Sequence, residues 1–233
     1  MPRLNREKVE QALEGIKIAE GYLQALLAQS DLFSDQPSEK SEKVSTSDSL
    51  PNPLPSMAWG KKFSQASRKF MIQMAKDFGI DSIDSLPTCI AFETAKTFRP
   101  SVKNPHSSGT GAIQFMEFTC QEMTRYFKKE FDHSKLVSMT MEEQLVWAWY
   151  YFKMVMEQRK VKRLGSLTDV YMAIHWPAAI GLPEDATMYA KGSKAYGVNT
   201  VLDRNKDGVI TKREAGALVA AVLEEGMKEE NFG

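Results

Sequence analysis

Two stretches of this chain hold residues whose types and spacing can do chemistry. In the first, Glu93 closes an apolar segment, Leu86-Pro87-Thr88-Cys89-Ile90-Ala91-Phe92. Pro87 suits the first turn of a helix, where its missing N–H would be unpaired anyway. The pattern predicts a helix from about Leu86 to Ala95, too apolar for a surface, with Glu93 near its C-terminus. Burial disfavours the carboxylate form, and so does the negative end of the helix dipole. A carboxylic acid kept protonated near neutral pH is a general acid, as glycosidic-bond cleavage requires. A loop rich in Gly, Ser, Pro and Asn, Arg99 to Gly111, follows and runs into Gly111-Ala112-Ile113-Gln114-Phe115. In the second stretch, 203–214, oxygen-bearing side chains recur at alternate positions, as a hard cation prefers.

The first stretch, written as Glu-Thr-…-Phe-x-Pro-Ser-x-x-Asn-Pro-x-Ser-x-Gly-x-Gly-Ala-Ile-Gln-Phe, resembles the soluble lytic transglycosylases and goose-type lysozymes, and most of all their tailed-phage branch. Two later stretches agree in order: Met139 to Leu145, and Asp169-Val170-Tyr171-Met172-Ala173-Ile174-His175-Trp176-Pro177-Ala178-Ala179-Ile180-Gly181. The resemblance covers roughly Trp59 to Ala215. It departs at Ala95, where the family often has Gly, and this puts the local backbone path in question. The resemblance implies a lysozyme-like, essentially all-α fold. It implies cleavage of the β-1,4 bond between N-acetylmuramic acid and N-acetylglucosamine in peptidoglycan, with Glu93 as acid and base and no cofactor for the chemistry. It also implies that Gln114 hydrogen-bonds the substrate or the acid. Tyr171 would stand near the acetamido group, although Tyr189 is also available. Thr94 and Ser101 would line the cleft. Without the resemblance, Glu93 reads equally as a helix-end carboxylate bonded to a loop.

Ordinary glycosidases pair their acid with a second carboxylate. Here only Glu117 and Asp132 offer themselves, by nearness in sequence alone. The transglycosylase route dispenses with one: the sugar's acetamido group assists, and a 1,6-anhydro product forms. A hydrolysing muramidase of the same fold is the near alternative. A non-catalytic wall-binding or virion-structural module is the more distant one.

Asp203 to Glu214 fits the twelve-residue EF-hand loop. Asp203, Asn205, Asp207 and Thr211 fall at positions one, three, five and nine; Val209 offers its carbonyl at seven, and Glu214 can chelate at twelve. Gly208 at six permits the sharp turn, and Ile210 at eight is an apolar packing residue. The segment before the loop, Tyr189 to Thr200, makes a poor entering helix, and no second loop exists to pair with. The reading is a structural Ca²⁺ site, set against a metal-free turn closed by Asx hydrogen bonds. A calcium-responsive regulator would leave residues 88–118 unexplained.

With 233 residues, 42% hydrophobic and 26% charged, the chain reads as an ordinary globular protein holding one substantial domain. Its net charge of zero gives no field for nucleic acid. No apolar run is long enough for a membrane span. Both cysteines, Cys89 and Cys120, lie among apolar residues and read as buried free thiols. Residues 1–29 read as an amphipathic helix, with Val9, Leu13, Ile16, Tyr22, Leu23, Leu26 and Leu27 on one face. That face either docks on the main domain or serves self-association or attachment to a virion component. Its charged residues do not make a secretory signal. The chain would therefore be made in the cytoplasm and reach the periplasm or wall in a phage particle or through a holin-type lesion, as an endolysin does.

Residues 30–56, rich in Ser, Pro, Asp and Lys, read as a flexible linker. The transglycosylase-like domain spans 57–188, and 189–233 holds the calcium-type loop and a C-terminal helix packed on that domain. Helices are expected over about 63–78 with Gly79 as stop, from Thr119 and from Thr140 (each a capping box with Glu122 or Glu143), and over 167–176, ended by Pro177. No alternating strand is evident, though the loop from Phe98 to Gln114 has room for a small hairpin.

Overall fold

A computed structural model describes residues 53–233. The expected helix of residues 1–29 and nearly all of the expected linker lie outside the described residues. Pro55–Gly233 is one compact unit. It is mostly helical, with one two-stranded antiparallel sheet. No helix among the described residues is long and apolar enough to cross a membrane.

The α-helices follow the apolar spacing. α1 is Gln65–Asp77, with Ser64 accepting from the Ser67 N–H at its start and Gly79 at φ 59° just beyond its end. α2 is Ser85–Glu93, α3 is Glu117–Phe127 and α4 is Met141–Arg159. α5, Leu167–His175, is capped by Ser166, and Pro177 follows shortly after it. The strand β1 (Thr187–Ala190), the helix α6 (Lys194–Asn199), the strand β2 (Val209–Thr211) and the helix α7 (Lys212–Gly226) complete the unit.

α4 is the axis of the core. Leu145, Ala148, Trp149, Tyr150, Phe152, Met154 and Val155 are all buried on it, so apolar side chains occupy most of its circumference. Both halves of its capping box form, with Thr140 accepting from the Glu143 N–H and Glu143 from the Thr140 N–H. α1 packs on α4, while α2 lies against α5 and α7.

Three expectations need correction. The fold is mainly helical as expected, but a short strand pair lies outside the Phe98–Gln114 loop: β1 pairs with β2, Tyr189 opposite Ile210. Strands of four and three residues are too short for an alternating pattern to register. The segment before the calcium-type loop does form a short helix, α6, because Ser193 accepts from the Tyr196 N–H and starts it. Thr119 is not a cap. α3 begins at Glu117, whose N–H donates to Ser108 Oγ at 3.1 Å, so the cap comes from a distant loop.

Residues 189–233 close the core as well as packing on it. α7 ends beside Trp59, whose indole Nε1 donates to the Val222 carbonyl at 3.1 Å. Met57 and Gly233 exchange backbone hydrogen bonds in both directions. At the other end of α7, Lys212 is buried and its ammonium meets Asp169 Oδ1 at 2.6 Å and the Leu182 carbonyl at 2.8 Å. Removing one partner of a buried pair strands the other charge. Asp169→Ala is therefore expected to cost about 3–5 kcal/mol, read as a drop in the urea midpoint at unchanged slope. A loss within the range of surface substitutions would contradict this account.

Candidate functional site

α2 ends in a Schellman turn around Glu93. The Ala95 N–H donates to the Phe92 carbonyl at 3.1 Å and the Lys96 N–H to the Ala91 carbonyl at 2.7 Å. The residue at the left-handed position is Ala95, at φ 47°, with Lys96 at 60° and Phe98 at 54° close behind. L side chains are disfavoured there, and the missing glycine leaves the turn strained. Ala95→Gly is expected to raise stability by about 0.5–1 kcal/mol, seen as a higher melting temperature; a lower one would mean the turn is not strained at Ala95. Two outside links hold the turn: Lys96 pairs with Glu225 of α7, and Phe98 packs on Trp59 and Phe63.

The Glu93 side chain keeps partial solvent access but is surrounded by protein. Among the described residues nothing donates a hydrogen bond to its carboxyl group. Burial alone raises its pKa to about 8, with no contribution from another carboxylate. Glu117 and Asp132 do not act on it; both line a separate groove of about 580 Å³ between α3 and the 3-10 turn His133–Ser138. Cys89 and Cys120 are buried and free. Burial pushes the Cys89 thiol well up, and burial with nearby Asp132 and Glu117 pushes Cys120 to about 12, so neither is poised as a nucleophile.

Tyr171 lies on α5 close enough to Glu93 that the carboxylate helps hold its hydroxyl protonated, after burial. Its ring meets Phe92 edge-on at 5.1 Å and stacks on His175 at 5.3 Å. His175 is kept neutral by burial, and its Nε2 lies 3.4 Å from the Tyr189 hydroxyl. Tyr151, on α4, also feels Glu93 and donates to the Ala173 carbonyl at 2.7 Å. Tyr171, His175 and Tyr189 thus form one aromatic cluster, with Tyr171 the member that feels Glu93. His175 was not singled out from sequence, whereas Tyr151, with Trp147, Trp149 and Tyr150, reads there as an aromatic for sugar stacking or core packing, and it is buried. The i,i+4 spacing of Tyr171 and His175 was the available signal for His175.

The other candidates fare differently. Thr94 is fully buried: its hydroxyl donates to the Ile90 carbonyl at 2.6 Å and accepts from the Phe98 N–H at 3.2 Å. It holds the helix end and does not line a cleft. Ser101 is exposed in the loop. Gln114, at φ 53°, donates from Nε2 to the Gly111 carbonyl at 3.1 Å. Its amide is thus bonded to its own loop. With Tyr151, Thr119 and Ile174 it lines a small depression of about 40 Å³. Glu93 lines neither this depression nor the larger groove.

The loop carries a small hairpin of isolated bridges, Lys103 to Thr110 and Thr110 to Phe115. Two residues not singled out from sequence fasten it. His133 Nε2–H donates to the carbonyls of Ser108 at 2.8 Å and Phe115 at 3.0 Å. Gln144 is wholly buried on α4. Its Oε1 accepts from the Ala112 N–H at 2.7 Å, and its Nε2 donates to the carbonyls of Pro100 at 2.7 Å and Leu136 at 2.8 Å.

In the calcium-type loop, Asp203 Oδ2 accepts from the Gly208 N–H at 3.0 Å and the Tyr196 hydroxyl at 2.6 Å. Asn205 and Asp207 each accept from the N–H two residues on. Gly208 has φ 86°, and Ile210 is fully buried at the packing position. Glu214 turns back to the Thr211 N–H and hydroxyl, both at 2.9 Å, as half of a capping box. Among the described residues no three His, Cys, Asp or Glu side chains converge as a metal group. The set nevertheless fits a hard cation in one telling respect. Asp203 Oδ1 is buried with no hydrogen-bond partner, and an orphaned carboxylate oxygen calls for a positive charge.

Compared with protein-family models and with curated proteins, the chain matches none.

Proposed function

We propose that this chain is a lytic transglycosylase of lysozyme-like fold that cleaves the β-1,4 bond between N-acetylmuramic acid and N-acetylglucosamine of peptidoglycan. Its role is wall degradation by a tailed phage, as an endolysin or a virion-carried enzyme acting in the periplasm. The observation that carries this reading is the Glu93 carboxyl, without hydrogen bonds and raised to about 8 by burial at the end of an apolar helix. Such a group is protonated at neutral pH and can give its proton to a glycosidic oxygen.

That no carboxylate among the described residues acts on Glu93 favours the anhydro route over hydrolysis. Glu93 donates its proton as the C1–O bond breaks, and the acetamido oxygen stabilises C1. The carboxylate then takes the proton of the muramyl 6-hydroxyl as that oxygen bonds to C1. Glu93 is regenerated and no water is consumed. Tyr171, with its hydroxyl held protonated, is a hydrogen-bond donor beside the acetamido group. Gln114 shapes the neighbouring loop, and Ser101 is the exposed polar contact there. Ca²⁺ in the 203–214 loop would supply structural charge balance and no step of the chemistry; Asp203, Asn205, Asp207, Thr211, Glu214 and the Val209 carbonyl would hold it.

Mass spectrometry of soluble products from purified peptidoglycan tests the reading. The expected products are lighter by one water than hydrolysed muropeptides, and Glu93→Gln yields none. Hydrolysed ends make the chain a muramidase. No product from folded wild type makes it a binding or virion-structural module.

A further inference from the structure

We infer that the 203–214 loop is a Ca²⁺ clamp on the candidate active site, acting through Tyr189. The inference rests on the proposed function only for its activity arm.

The case for a cation begins with Asp203. It is 7% exposed, its Oδ2 is committed to Gly208 and Tyr196, and its Oδ1 is buried and unpartnered. Asn205, Asp207 and the Val209 carbonyl follow it at the loop positions that supply oxygens to Ca²⁺, although the Asn205 and Asp207 oxygens now accept from the N–H groups two residues on. Ligation by Glu214 competes with the hydrogen bonds that Glu214 accepts from Thr211.

The case for coupling is the path from loop to cleft. Positions seven to nine of the loop are β2, and β2 pairs only with β1. The Gly208 carbonyl accepts from the Lys191 N–H at 2.7 Å, tying the end of β1 to the turn of the loop. β1 carries Tyr189, whose ring packs on Trp176 at 5.5 Å and whose hydroxyl faces His175. His175 lies on Tyr171 with their planes 9° apart, and the Tyr171 ring packs on Phe92, the residue before Glu93. An EF-hand loop ordinarily spends its strand on a second loop. Here the strand is spent on a segment that supplies Tyr189 to the His175–Tyr171 stack. Fixing the loop fixes β1, and fixing β1 fixes Tyr189.

The test uses the full chain, freed of metal by chelation. Calorimetric titration with CaCl₂ is expected to show one site, with Mg²⁺ much weaker. Binding should raise the melting temperature by about 5–10 °C at a hundredfold excess over Kd. Hydrogen exchange of the Met188–Ala190 amides should slow about tenfold on Ca²⁺ addition. Asp203→Ala should weaken binding at least about 100-fold; Asp207→Asn, at an exposed position, should weaken it less and guards against misfolding of the first variant. Chelation should lower kcat/KM on peptidoglycan, and Tyr189→Ala should bind Ca²⁺ normally while losing that response. Absence of binding at millimolar Ca²⁺, or protection confined to 203–214, overturns the inference. Normal coupling by exchange in a chain that cuts no peptidoglycan overturns the proposed function and leaves the clamp standing.

Discussion

At pH 8, Glu93→Gln is expected to gain stability against urea relative to wild type, and at pH 4 that gain should be absent. The folded protein holds the Glu93 proton up to about pH 8, whereas an unfolded chain releases it near 4.5. Between those values the folded state binds more protons, so stability falls as pH rises. Glu93's contribution is intact below the unfolded value and is lost through the folded one. The swing between pH 4 and pH 8 should be roughly 2–4 kcal/mol, the partial solvent access of the side chain having been discounted. Gln carries no charge to desolvate and shows no such swing. The same substitution should lower turnover about 10²–10⁴-fold, because an amide has no proton to give. Wild-type activity should decline above about pH 8 as the acid ionises. A flat difference in stability between pH 4 and pH 8 would show that the carboxyl is solvated and ordinary, and would remove the main support for its role.

Gln144→Leu is expected to cost about 3–5 kcal/mol and lower the melting temperature by roughly 10 °C. Leucine fills similar space but orphans the Ala112 N–H and the carbonyls of Pro100 and Leu136. The amide orientation follows from its partners, since an N–H must meet oxygen and two carbonyls must meet the NH₂ group. Gln144→Glu should therefore not rescue, as its carboxylate would face both carbonyls. Gly111 belongs to the same arrangement. It has φ 82°, and a Cβ there would lie 2.2 Å from Gln144 Oε1. Circular dichroism melts of Gln144→Leu and Gln144→Glu decide the matter. A Leu variant within about 0.5 kcal/mol of wild type would mean that the loop is held elsewhere.

Much of this was legible from local patterns. The capping boxes at Thr140 and Thr211 form because cap and partner are three residues apart on one chain, a geometry that sequence alone imposes. The same pattern at Thr119 fails because Ser108 reaches Glu117 first, and nothing local announces that contact. The apolar run before Glu93 already determined a buried helix ending in an acid, and the alternation of oxygens at 203–214 already determined a tight turn around Gly208. Composition fixed a globular chain without an obvious charge field.

Tertiary structure decided the rest. It buried Thr94, whose hydroxyl shares the Ile90 carbonyl with its own backbone N–H. It turned Gln114 to its own loop, and gave the bracketing task to Gln144 on another helix. It stacked His175 on Tyr171 and brought Tyr189 to them on a strand too short to see. Among the described residues it brought no second carboxylate to act on Glu93, although Glu117 and Asp132 follow it in the chain. Local bonds such as Thr94 to Ile90 and Gln114 to Gly111 are within reach of chain geometry, whereas burial and partners across the fold depend on which elements pack together.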